Sequence, residues 1–113
     1  MAYRKTFSSN VWGLLLKAFD TYCVSKEVNE SEGLRDCISV YIRYLESGQM
    51  AKARKLHTRD TSNKKFVRRL QAQLHGNQLH EFQSHCDRRL MSYSEGIRES
   101  IRIATNYGEN IKE

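Results

Sequence analysis

The sequence predicts a mainly α-helical protein with one short β-strand near its N-terminus, and three observations support this fold class. The chain of 113 residues contains no proline, which favours uninterrupted helices. Residues 3–8 (YRKTFS) alternate in the way that a strand requires, whereas apolar residues further along recur at helical steps of three and four. With 39% hydrophobic residues, the chain can build a single modest core or a small domain with a helical extension.

The predicted strand divides into two faces, with Tyr3, Lys5 and Phe7 on one and Arg4, Thr6 and Ser8 on the other. No second strand is predicted in the chain, so the backbone groups of this strand need another partner. The same strand of a second copy is the simplest one. We therefore expect a homodimer, or a tetramer, held in part by a two-stranded ribbon.

Two helices are predicted after the strand, over residues 10–23 and from residue 29 to about residue 45. The second has a clear start, because Asn29 and Glu32 fit a capping box. Gly48 is a natural stop for it.

In these features the first 48 residues resemble the ribbon-helix-helix family, to which the Arc and methionine repressors belong. The matching residues are the strand 3–7, Ser8 at the strand-to-helix turn, Val11, Leu15 and Phe19 on the first helix, and residues 28–31 leading into Leu34, Cys37, Ile38 and Tyr41. The resemblance implies a DNA-binding and dimerisation region over residues 1–48, in which two chains intertwine and their paired strands enter the major groove.

The resemblance also assigns contacts. Arg4 and Thr6 would contact bases, since arginine can donate two hydrogen bonds to guanine and threonine can offer its hydroxyl or methyl group. The start of the second helix would hold a phosphate on its backbone amides. The phosphate contacts implied here are Ser8, Asn29, Glu30 and Ser31.

The remaining residues, 49–113, are predicted to form a basic helical region with a possible role in oligomerisation. The net charge of +6 is concentrated in one segment, residues 52–69, whereas residues 1–47 are neutral. Short helices are predicted over residues 50–57 and 64–74. A basic block indicates an anionic partner, so further phosphate contacts are expected from Lys52, Arg54, Lys55, Arg59, Lys64, Lys65, Arg68 and Arg69.

Apolar residues from Leu79 to Ala104 follow an eleven-residue repeat, which predicts a long helix that packs on its own domain or self-associates. A second capping-box pattern at residues 92–95 leaves open that the helix restarts there. No internal repeat is evident.

Catalysis, metals and cofactors are not expected. Three widely spaced cysteines indicate reduced thiols, and the histidines at positions 75, 80 and 85 do not share a helix face. No phosphate loop or nucleophile motif is present. The run of residues 12–19 is too short to span a bilayer, so we expect a cytoplasmic protein without membrane contact. If it binds DNA, we expect it to associate with the nucleoid.

The resemblance thus implies a sequence-specific double-stranded DNA-binding protein of the repressor, plasmid partition or relaxosome accessory type. The alternative is an all-helical RNA-binding or adaptor protein that acts through the basic segment 52–69.

Overall fold

The computed structural model describes residues 4–47 and 67–105, and within them strand, helix, helix is followed by strand, helix, helix. The elements are β1 (Arg4–Trp12), α1 (Gly13–Lys26), α2 (Glu30–Glu46), β2 (Val67–His75), α3 (Gly76–Arg88) and α4 (Tyr93–Thr105). The mainly helical fold class and the N-terminal strand are confirmed for these residues.

The strand β1 pairs with β2 of the same chain in an antiparallel two-stranded ribbon. Arg4 lies opposite His75, Trp12 lies opposite Val67, and Ser8 and Gln71 face each other at the centre. The expectation that the N-terminal strand has no partner in its own chain is therefore wrong.

The predicted helix over residues 64–74 is also wrong, because Val67–His75 is a strand. Leu70 and Leu74 are four residues apart, and that spacing places two side chains on one face of either a helix or a strand. Ala72 lies between them and is buried as well, which is the two-residue period of a strand. The all-helical fold expected under the alternative hypothesis is wrong for the same reason.

The strand β1 is longer than predicted, and the first helix begins at Gly13 rather than at residue 10. The sequence predicts Val11 on the first helix, yet it continues the alternation of Phe7 and is fully buried on the inner face of the ribbon. Gly13 has φ of +65°, which turns the chain from strand to helix at little steric cost.

The C-terminal apolar pattern forms two helices instead of one. The break lies at Leu90, whose φ is +55°, and α4 begins after Ser92. The Ser92 hydroxyl accepts from the backbone amide of Glu95, and the Glu95 carboxylate accepts from that of Ser92. The restart indicated by the second capping box is confirmed.

The two strand-helix-helix units are an internal repeat, so the expectation that the chain has none is wrong. Repeat 1 (residues 4–46) and repeat 2 (residues 67–105) align with an offset of 63 positions, as between Gly13 and Gly76. The other identical pairs at this offset include Leu16 and Leu79, Phe19 and Phe82, Cys23 and Cys86, Ser31 and Ser94, Glu32 and Glu95, Gly33 and Gly96, Arg35 and Arg98, and Ile38 and Ile101.

The repeats interlock around one core, because each strand packs on the second helix of the other repeat. The ring of Phe7 in β1 lies 5.3 Å from that of Phe82 and 5.1 Å from that of Tyr93, both in repeat 2. Described residues of both expected regions, 1–48 and 49–113, contribute to this core.

Candidate nucleic-acid interface

The ribbon has one buried face and one open face. Its inner side chains are packed on the helices, and they comprise Phe7, Ser9, Val11, Leu70, Ala72 and Leu74. Because side chains alternate along each strand, the residues between these point away from the core. The alternation predicted for the start of β1 is confirmed, with Phe7 inward and Arg4, Thr6 and Ser8 outward.

We define the outer face as the six central residues on the open side of the ribbon, Thr6, Ser8, Asn10, Arg69, Gln71 and Gln73. Five of them are exposed and Ser8 is half-buried. Every one can donate a hydrogen bond, and neither strand contains a carboxylate. The outer face is therefore a polar, cationic surface without negative charge.

The register sets these side chains in three cross-strand pairs, Thr6 with Gln73, Ser8 with Gln71, and Asn10 with Arg69. Arg69 also donates from Nη2 to the Ser8 hydroxyl at 3.0 Å. This bond orients the guanidinium across the ribbon, while its remaining donors can reach a ligand.

A polar cleft of about 200 Å³ lies between the outer face and the start of α4. It is lined by Ser8, Ser9, Asn10, Arg69 and Ser94. Ser9 and Ser94 share a hydrogen bond of 2.8 Å, which ties the ribbon to the first turn of α4. Hydroxyl groups, a guanidinium and a helix N-terminus thus converge beside the ribbon, a chemistry suited to an anion.

Arg98 of α4 forms hydrogen bonds with three residues that line this cleft. Its Nη1 atom donates to the Ser9 hydroxyl at 2.9 Å, to the Asn10 carbonyl at 3.1 Å and to the Ser94 hydroxyl at 3.1 Å. The guanidinium carbon lies 5.3 Å from the centre of the Trp12 ring. Burial, followed by repulsion from Arg102, lowers the pKa of Arg98 from its ordinary value. An anion in the cleft would oppose both effects, because a nearby negative charge favours the charged guanidinium.

Two of the three predicted phosphate contacts at the start of α2, Asn29 and Glu30, are engaged in interactions within the chain, and the third, Ser31, is exposed. The Asn29 side chain accepts from the Glu32 amide at 2.9 Å, completing the predicted capping box. The Glu30 carboxylate accepts from Arg68 at 2.7 Å, and Arg68 also donates to Asp20 at 2.9 Å. The hydrogen bond with Asp20 is the main reason why the pKa of Arg68 is raised.

The structure therefore separates the two arginines that the sequence grouped together. Arg69 lies on the outer face, whereas Arg68 is held by two carboxylates at the junction of β2 with α1 and α2. The other predicted basic contacts, Lys52, Arg54, Lys55, Arg59, Lys64 and Lys65, lie outside the described residues.

Three residues of the outer face, Asn10, Gln71 and Gln73, are not among the predicted contacts, and neither is Arg98 beside the cleft. The sequence predicts a helix at Asn10 and another over Gln71 and Gln73, so these side chains are not expected on a ribbon. One signal was available, namely the alternation of Leu70, Ala72 and Leu74 with polar residues. No local pattern marks Arg98, because its contact with Ser9 joins residues that are distant in the sequence.

The described residues contain no cluster of histidine, cysteine and carboxylate side chains that could hold a metal ion. The three cysteines are free and buried. Burial raises the pKa of the Cys86 thiol to about 12, so it stays protonated at neutral pH. Within residues 4–47 and 67–105, no helix combines the length and the apolar character needed to cross a bilayer.

Comparisons of the chain with protein-family models, with curated proteins and with solved structures give no match.

Proposed function

We propose that this chain is a sequence-specific double-stranded DNA-binding protein that inserts the β1–β2 ribbon into the major groove. The observation that carries the proposal is the outer face of the antiparallel ribbon. All six of its side chains can donate hydrogen bonds, and none is a carboxylate. The major groove is about 12 Å wide and admits a two-stranded ribbon.

The side-chain types suit base recognition. Arginine donates two hydrogen bonds to guanine, asparagine and glutamine pair with adenine through their amides, and threonine contacts the thymine methyl group. The outer face spans four residue steps along each strand, about 13 Å, which covers roughly four base pairs.

The resemblance to the ribbon-helix-helix family supports the same function. In this proposal each repeat is one ribbon-helix-helix unit, so a single chain supplies the ribbon that the sequence analysis assigned to a homodimer or tetramer. The resemblance implies three possible roles for such a protein, namely transcriptional repressor, plasmid partition protein or relaxosome accessory protein.

The cleft beside α4 supplies a place for the DNA backbone. Ser94 and Arg69 line it, and Arg98 holds its walls together. A phosphate there would meet hydroxyl and amide donors and a helix N-terminus.

Selection from a random duplex DNA pool at near-physiological salt tests the proposal. We expect a short enriched motif. Arg69→Ala and Gln71→Ala should each weaken binding to that motif by about 1–3 kcal/mol, since each removes one base contact. Fluorescence anisotropy with the enriched duplex measures the loss.

Arg43→Ala is the matched control, because it removes the same charge from an exposed position on α2. It should leave the enriched motif unchanged. The proposal fails if no motif is enriched, or if Arg69→Ala and Arg43→Ala weaken binding equally. Retention of RNA in preference to duplex DNA would favour the RNA-binding alternative.

A further inference from the structure

We infer that one chain binds a non-palindromic DNA site in a single orientation, because the two ends of its ribbon carry different base-reading side chains. The inference rests on the proposed function. It adds the symmetry of the site and the end of the ribbon that lies over each half.

The ribbon has an approximate two-fold axis through its centre. Ser8 and Gln71 occupy equivalent positions in the two repeats, and they also lie opposite each other in the ribbon. A rotation of 180° about an axis between them exchanges the two strands. If exchanged residues were identical, the chain would read both halves of a site alike and the site would be palindromic.

The exchanged residues of the outer face all differ. Thr6 exchanges with Arg69, Ser8 exchanges with Gln71, and Asn10 exchanges with Gln73. Only the last exchange keeps the type of readout, since both side chains are amides that suit adenine. The other two replace a small hydroxyl side chain by one that makes bidentate contacts.

The Arg69 end of the ribbon, which contains Asn10 and Arg69, is therefore expected to lie over guanine and adenine. The Thr6 end, which contains Thr6 and Gln73, is expected to lie over A·T pairs. Arg4 belongs to the Thr6 end, but it lies four residues from the centre, about 13 Å, against about 7 Å for Arg69. A guanine read by Arg4 would fall at a different distance from the axis.

The residues that surround the two ends of the ribbon also differ. At the Arg69 end, Arg98 of α4 donates to the hydroxyl of Ser9. The residues equivalent to these two are Arg35 and Ala72, and alanine has no hydroxyl to accept such a bond. The cleft that can bind a backbone phosphate, which is lined by serine hydroxyl groups, thus lies at the Arg69 end of the ribbon.

The first test uses the unmodified protein and its selected site. Two symmetrised duplexes are made, one with two copies of the half bound by the Arg69 end and one with two copies of the other half. Each should bind about ten- to a hundredfold more weakly than the selected site for each base pair that is now mismatched. A palindromic selected motif, or a symmetrised duplex that binds as tightly as the selected site, would overturn the inference.

The second test makes the protein symmetric. The triple variant Thr6→Arg, Ser8→Gln, Asn10→Gln gives β1 the outer face of β2, and the changes fall on outward positions. Selection with it should enrich a motif whose central base pairs are palindromic. The reverse triple variant, Arg69→Thr, Gln71→Ser, Gln73→Asn, should do the same with the other half, and it serves if the first fails to fold. Motifs that stay non-palindromic in both would overturn the inference.

The outcomes separate the two proposals. A palindromic enriched motif refutes the single orientation and leaves the ribbon as the reader. The absence of any enriched motif refutes the proposed function itself.

Discussion

Repeat 1 and repeat 2 share their internal packing and differ on their open surface. The identical pairs include the glycine that turns each strand into its helix, with φ of +65° at Gly13 and +63° at Gly76. Glu27 and Leu90, at equivalent positions between the helices, both have positive φ. The comparison shows that the fold fixes turn and packing positions, while the outer face is free to diverge.

Both repeats have the same close contact between their two helices. A Cβ atom at Gly33 would collide with Sγ of Cys23, and one at Gly96 would collide with Sγ of Cys86. Each repeat therefore needs a residue without a side chain at this point of its second helix. The same glycine and cysteine pair solves the same packing problem twice.

The largest expected effect tests whether the repeats are one folding unit. Phe19 and Phe82 are equivalent and fully buried, so truncation of either to alanine should lower the free energy of unfolding by about 3–5 kcal/mol. Each strand packs on the second helix of the other repeat, so Phe82→Ala in repeat 2 should also destabilise repeat 1. The urea midpoint measured by fluorescence of Trp12, in repeat 1, should therefore fall as far as the midpoint measured by far-ultraviolet circular dichroism.

Val24→Ala is the control, since this side chain is 77% exposed and its loss should change stability by less than about 0.5 kcal/mol. Two separate transitions in Phe82→Ala, with Trp12 unaffected in the first, would show that the repeats unfold independently.

A smaller effect tests the glycine and cysteine pairs. Gly33→Ala and Gly96→Ala should each destabilise the protein by about 1–3 kcal/mol through overpacking against the sulfur. Cys23→Ala should restore much of the loss caused by Gly33→Ala. Cys86→Ala should restore a smaller part of the loss caused by Gly96→Ala, because a Cβ atom at Gly96 would also lie 3.0 Å from the Phe82 ring. Chemical denaturation of the single and double variants measures these couplings.

The cross combinations are the controls. Gly33→Ala with Cys86→Ala should be additive, because Gly33 approaches the sulfur of its own repeat. Equal rescue by either cysteine change would contradict the packing that the two repeats share.

Local patterns were enough to predict some parts of this molecule. The capping box at Asn29, the helix after it and the inward position of Phe7 all follow from residues close in sequence. The outward position of Arg4, Thr6 and Ser8 followed from the same alternation. These features depend on neighbours along the chain, so sequence reasoning reached them.

The features that depend on distant residues were missed. The sequence predicts a helix where β2 lies, because the spacing of Leu70 and Leu74 is compatible with both a helix and a strand. Pairing with β1 stabilises the strand. The repeat was missed because its identities are sparse and fall mainly at packing positions. Half of the outer face consists of Arg69, Gln71 and Gln73. Their position on it depends on the pairing of β2 with β1 and could not be predicted without that pairing.

The smallest expected effect concerns one equivalent position that the repeats use differently. Arg68 forms ion pairs with Asp20 and Glu30 across the start of β2. At the equivalent position of β1, the Lys5 ammonium lies 5.6 Å from the centre of the Tyr93 ring, and Tyr93 is the equivalent of Glu30. The same contact between strand and second helix is thus an ion pair on one side and a cation–π contact on the other.

Arg68→Met and Lys5→Met should each lower the free energy of unfolding by about 0.5–1 kcal/mol at low salt, because both contacts are exposed to solvent. At about 1 M salt the Debye length is near 3 Å, so the cost of Arg68→Met should shrink towards zero. The Lys5 contact is made with a ring that bears no net charge, so its cost should change less. Urea denaturation at both salt concentrations measures the difference, and an equal salt dependence of the two variants would show that the repeats do not use different electrostatics at this junction.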